Sequence, residues 1–208
     1  MTEKISDLLE AAAAGASRVV RGVDDRQLGA RTPCDEYDVG ALLDHLFHVV
    51  IGFQALAARK EADFTHTPHY LDEGWRDRFE AETARLVEAW AVPGADEGTT
   101  GAMNLPARTV GSMVLLDLTV HVWDLARATG QDFTPDEDGV RALDALVTDM
   151  GPTARQMNMF ADPFPAPPGA TAFTALLAAT GRDPHWTPDR EARPAAVQEP
   201  GRGREPAA

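Results

Sequence analysis

The chain has 208 residues, enough for a domain with a substantial apolar core, and its 44% apolar and 25% charged residues are ordinary globular usage, which argues against disorder of the whole chain. The formal net charge is −14, and the last 22 residues balance four Arg against four acids, so the negative charge belongs to the preceding part and argues against nucleic acid or an anionic membrane as partner. The single cysteine, Cys34, excludes an intrachain disulfide and a zinc site built on several cysteines.

The first residues, MTEKISDLLEAAAAGA, lack the basic start and long apolar stretch of a secretory signal. No apolar run approaches the ~18 to 20 residues that span a bilayer, so a cytoplasmic chain without a membrane partner is expected. Helical periodicity then dominates. Ile5, Leu8, Leu9, Ala12, Val19, Val20 and Val23 predict a first helix over 5–23. A charged loop containing Pro33 follows, and Asp38 is placed to cap a second helix over 39–60 with Leu42, Leu43, Leu46, Val49, Val50 and Phe53 as its apolar stripe.

After the loop THTPHY, a third, amphipathic helix is expected over 71–91. The stretch 92–110, rich in Gly and Pro, predicts a long excursion with a short hairpin; it and the 61–70 loop are expected at a pocket rim. A fourth helix runs from about Val110 to Thr129 and stops at Gly130. Two shorter helices, over 136–151 and 171–181, follow, joined by the extended connector PFPAPPGA. Residues 1–186 read as one domain and 187–208, without periodicity, as a disordered tail. The pattern is that of an all-α four-helix bundle with one long crossover and two short extra C-terminal helices.

The chemistry concentrates in DLTVHVWDLA, residues 117–126. Met113, Leu116, Val120 and Trp123 cover one apolar face of that helix, and Asp117, His121 and Asp124 form a polar stripe beside it. Asp117 and His121 are one turn apart, so both side chains can reach one ion. The plain alternative is a solvated i,i+4 pair worth a few tenths of a kcal/mol. The second helix offers His45 and His48, of which His45 faces inward better; His48 reads as a boundary residue, and His66, His69 and His185 as loop residues. Asp124 either accepts from a ligand imidazole or bonds a neighbouring loop, and the loop is favoured. Trp75, Trp90 and Trp123 are read as core. Cys34, close to a helix start, is either an activated thiol or a partly buried loop residue, and the second is preferred.

TPCDEYDVGALLDHL, residues 32–46, resembles the entry segment of the DinB-like proteins, with Tyr37 where Trp is usual. DLTVHVWDLARATGQ, residues 117–131, resembles the carboxylate-x-x-x-His segment of the actinobacterial branch related to the N-terminal domain of mycothiol-dependent maleylpyruvate isomerase, and GRDPHW, residues 181–186, is similar to the way that branch closes. The resemblance implies a DinB-like bundle with a divalent metal held by His45, Asp117 and His121, the acid being Asp where the isomerases have Glu. Zn²⁺ is the first choice of ion, with Ni, Fe and Mn as alternatives. It further implies a small-molecule substrate and a low-molecular-weight thiol such as mycothiol, in a transfer or isomerisation reaction; a homodimer is compatible with it. A metal- or small-molecule-binding bundle without catalysis is the competing expectation, and a non-haem iron oxygenase ranks below both.

Overall fold

A computed structural model describes residues 3–102 and 104–188, so the tail expected from 187 onward falls, beyond Pro188, outside the described residues. Four helices make the bundle: α1 (Ile5–Gly22), α2 (Val39–Ala57), α3 (Trp75–Ala91) and α4 (Ala107–Thr129). α1 and α2 each pack against both α3 and α4, so these two consecutive helices stand at opposite corners. The link between them, residues 23–38, crosses the bundle and is stiffened locally. Asp24 caps a single 3-10 turn over Asp25–Gln27, and Asp38 accepts from the Ala41 amide at 2.8 Å to start α2. A carboxylate there satisfies an amide that the helix itself cannot.

The core is the apolar stripe expected of α2 together with the inward faces of α1, α3 and α4. Leu9, Leu42, Leu43, Leu46, Phe47, Leu86, Leu118 and Leu125 are fully buried, and Trp75 and Trp90 are core residues. Close contact among α1, α3 and α4 depends on Gly111: a Cβ there would sit 2.7 Å from Ile5 and 3.1 Å from Trp90. α2 and α4 are long and apolar enough to cross a membrane by length and composition, contrary to the sequence expectation, because isolated His, Asp and Gly do not break an average over a helix. Most of each helix is buried in the bundle core.

The excursion after α3 holds the expected hairpin, Thr99–Thr100 (β1) paired antiparallel with Leu105–Pro106 (β2). It is tied to the C-terminal end of α2, where Thr100 donates to the Leu56 carbonyl at 2.7 Å and Arg59 donates to Thr99 and Gly94 carbonyls at 3.1 Å each. Leu56 lies eleven residues beyond His45, ~16 Å along the helix. The excursion is therefore no rim for a site at His45. The 61–70 segment does reach that level, because Asp44 accepts from the Tyr70 amide at 2.6 Å and contacts His69 at 2.9 Å.

α5 (Glu137–Gln156) is a full-length helix that continues through Pro152, whereas the sequence reading stopped it at Gly151. α6 (Ala172–Ala179), capped by Thr171, is short as expected. α6 supplies Leu177 to a small second cluster with Val120 and Trp123, and Leu116, Phe133 and Phe173 pack at its edge. α4 is consequently apolar on two sides. The face read from the sequence turns toward α6, and Val114, Leu115, Leu118, Val122 and Leu125 fill the bundle core. The 117–121–124 stripe carries the two carboxylates and the imidazole of this helix.

Candidate metal centre

The polar stripe of α4 meets α2 at His45. Asp117 Oδ1 lies 3.7 Å from His45 Nε2 and 3.6 Å from His121 Nε2, and one ligand atom from each of the three side chains falls within 4.8 Å of the other two. These separations are too long for hydrogen bonds. They suit an ion between them: metal–nitrogen and metal–oxygen bonds of ~2.0 to 2.2 Å at tetrahedral angles put ligand atoms ~3.3 Å apart, so each imidazole is within a few tenths of an ångström of that separation from Asp117. His45 Nε2 is buried and has no hydrogen-bond partner among the described residues. A buried nitrogen facing a carboxylate it does not bond is the feature that fits the residues to a metal.

Each imidazole is held from behind. His121 Nδ1 lies 3.0 Å from Asp124 Oδ2, and His45 Nδ1 lies 3.4 Å from the Tyr37 hydroxyl, whose ring stacks on His45 with centroids 5.0 Å apart. Partners of this kind choose which ring nitrogen keeps its lone pair. For His121 the acceptor-only carboxylate leaves the lone pair on Nε2, toward Asp117 and His45. The side chains of His45, Asp117 and His121 remain 21%, 25% and 12% exposed, so solvent or a small ligand can reach the three.

Asp124 bonds both the imidazole and the C-terminal segment: its Oδ2 also takes Arg182 Nη2 at 3.3 Å. The preference for a loop contact alone was incomplete, because a fully buried carboxylate needs more than one donor. Cys34, with His121 and Asp124, makes a second group of potential ligands within 4.8 Å. Burial pushes its thiol above the ordinary value, and Arg182 opposes this only in part. Cys34 is the partly buried loop residue of the preferred reading. Burial likewise raises the Tyr37 hydroxyl, and its oxygen can accept from His45 Nδ1–H, the tautomer that leaves Nε2 its lone pair.

His48 sits apart from the three, its Nδ1 3.2 Å from the Tyr70 hydroxyl. His66 and His185 occupy exposed loop positions. Two further residues support the three, Tyr37 behind His45 and Arg182 behind Asp124. Tyr37 carried a signal, since an aromatic eight residues before His45 replaces the usual Trp. Arg182 carried none, because its partner lies 58 positions away.

The model of the mycothiol maleylpyruvate isomerase N-terminal domain matches residues 9–126, more than half of the chain and inclusive of His45, Asp117, His121 and Asp124. The chain belongs to that family. It is 33% identical over 166 residues to an uncharacterised protein in each of two Mycobacterium tuberculosis strains, CDC 1551 and H37Rv, covering 75% of this chain and 87% of theirs. Its fold is similar to the crystal structure of a histidine-to-alanine variant of the mycothiol-dependent maleylpyruvate isomerase, with a TM-score of 0.51 at 21% identity, over 71% of this chain and 70% of the other. That likeness bears out the all-α DinB-like fold expected from the sequence.

Proposed function

We propose that this family member binds a divalent cation through His45, Asp117 and His121 and, with a low-molecular-weight thiol of the mycothiol type, acts on an electrophilic small molecule by group transfer or isomerisation. The observation that carries the reading is the convergence of the three groups on one point, with His45 Nε2 buried and unbonded. Two imidazoles and a carboxylate suit Zn²⁺ first, and Ni, Fe or Mn after it. Such an ion, when bound, supplies a Lewis acid that lowers the pKa of a coordinating thiol toward neutrality.

The chain's own residues do the rest. Asp124 orients His121 with Nε2 toward Asp117, Tyr37 orients the His45 ring, and the partial exposure of Asp117 leaves room for a thiol and substrate to approach. The family supports a thiol partner, and a cytoplasmic setting, where thiols stay reduced, accords with it. Metal analysis of purified protein is expected to find about one divalent ion per chain, as three protein ligands with open positions imply, and a His121→Ala variant with full metal content overturns the reading.

A second reading is a metal-binding bundle without catalysis. It is favoured by the placement of two open clefts, of about 310 and 510 Å³, which lie against α1 and include no residue of the three. The two readings separate on chelation. An enzyme loses thiol-dependent turnover of a generic electrophile such as chlorodinitrobenzene, whereas a metal-stabilised bundle loses only melting temperature.

A further inference from the structure

Behind His121 the structure builds a buried charge pair. Asp124 is wholly buried, and the Arg182 side chain, from the segment after α6, is 10% exposed. Arg182 Nη2 and His121 Nδ1 both approach Asp124 Oδ2, at 3.3 and 3.0 Å, and their own 3.4 Å separation is that of two donors sharing one acceptor. The guanidinium is also anchored through Nη1, which donates to the Thr180 carbonyl at 2.9 Å.

The backbone that delivers Arg182 is equally constrained. Its amide donates to the Leu177 carbonyl at 2.9 Å, and Gly181 before it has φ of 83°. A Cβ on Gly181 would lie 2.7 Å from the Ala161 side chain and 3.0 Å from the Ala161 carbonyl oxygen. None of these residues falls within the 9–126 match to the family model.

A buried carboxylate needs donors in place of the water it has lost, and Arg182 Nη2 is one of the two groups that reach Asp124 Oδ2. With Asp124 Oδ2 as the acceptor, His121 turns Nδ1–H toward it and keeps the Nε2 lone pair facing Asp117 and His45. The guanidinium also stands against two of the three groups formed by Cys34, His121 and Asp124. A positive charge is thus already present where a second ion would bind.

We propose that Arg182 is a positioning residue for the candidate metal centre, holding Asp124 as the acceptor that fixes the tautomer and orientation of His121. The segment after α6 thereby sets a ligand on α4. The part of the proposal that concerns metal affinity rests on the metal reading above; the part that concerns the His121 tautomer does not.

The experiment compares wild type, Arg182→Gln and Arg182→Lys in the full chain, each checked for folding by circular dichroism. Histidine ¹⁵N chemical shifts of the metal-free protein give the His121 tautomer, and cobalt(II) titration, read by its visible absorption, gives affinity and ligand geometry. Wild type is expected to hold one tautomer, protonated on Nδ1. Arg182→Gln should show a mixture of tautomers and about tenfold weaker cobalt binding with an altered band, in the range usual for loss of an outer hydrogen-bond partner. Arg182→Lys, with a shorter single-point cation, should fall between, roughly threefold weaker.

A folded Arg182→Gln with the wild-type tautomer and cobalt spectrum overturns the proposal. Should that variant not fold, Arg182→Lys decides: an intermediate tautomer shift supports the assignment, and no shift overturns it. If wild type takes up no cobalt, the metal reading fails, and the tautomer measurement still decides the role of Arg182.

Discussion

Asp117 is the residue on which the site turns, because its carboxylate oxygen stands 3.7 and 3.6 Å from the Nε2 atoms of the two imidazoles. At 3.6 and 3.7 Å, the short arm of Asp reaches toward both imidazoles from α4. Asp117→Glu, longer by one methylene, is expected to keep cobalt binding within about tenfold, whereas Asp117→Asn, which loses the charge, should lower it by more than ~100-fold. Isothermal titration with cobalt(II) checks both. Cys34 gives a pH test. Its folded-state pKa is raised above the ordinary 9.0, with burial the first cause. The neutral thiol is therefore the native form, and its contribution to stability is complete below pH 9 and fades as pH rises through the raised value. Thermal midpoints should hold to about pH 9 and then fall, less steeply in Cys34→Ala. Alkylation by iodoacetamide at pH 8 should be slower than for an unhindered thiol.

At the scale of elements, α4 explains how a charged stripe survives in an interior helix. Its bundle face and its α6 face are both apolar, and the narrow strip between them is occupied by groups that contact one another, α2 and Arg182. Because two faces are in use, single truncations in α4 should be costly. Leu118→Ala, at a fully buried position, is expected to lose about 2 to 5 kcal/mol of stability in urea unfolding. The approach of α4 to α1 and α3 at Gly111 makes a sharper test. Gly111→Ala places a methyl 2.7 Å from Ile5, and although alanine is the better helix former by about 1 kcal/mol, overpacking should win and destabilise the chain by about 1 to 3 kcal/mol.

The whole molecule joins these two scales, since one imidazole comes from α2 and the other two groups from α4, at a contact that exists only in the folded bundle. An ion that binds the folded form alone must stabilise it by mass action, about 2.7 kcal/mol when its free concentration is a hundred times the dissociation constant. The melting temperature should accordingly rise with added Zn²⁺ in wild type and stay flat in His45→Ala, read by differential scanning fluorimetry. A zinc-independent wild-type midpoint counts against a site formed by folding.

Four bundle helices, the Asp38 cap, the hairpin in the Gly- and Pro-rich excursion and the stop at Gly130 were legible in the sequence, because each is encoded by periodicity or by a residue whose backbone preference acts locally. The Asp117–His121 pair was legible for the same reason: four residues along a helix is one turn. His45 as their companion was named by inward periodicity and by resemblance. Which helices are neighbours, that α4 is apolar on a second face, that α5 runs on through Pro152 and that the long excursion lies at the far end of α2 were decided by tertiary packing. So was the pairing of Asp124 with Arg182. Contacts across 58 residues depend on how the whole chain minimises exposed apolar surface and unpaired buried charge, and no local pattern of residues records that balance.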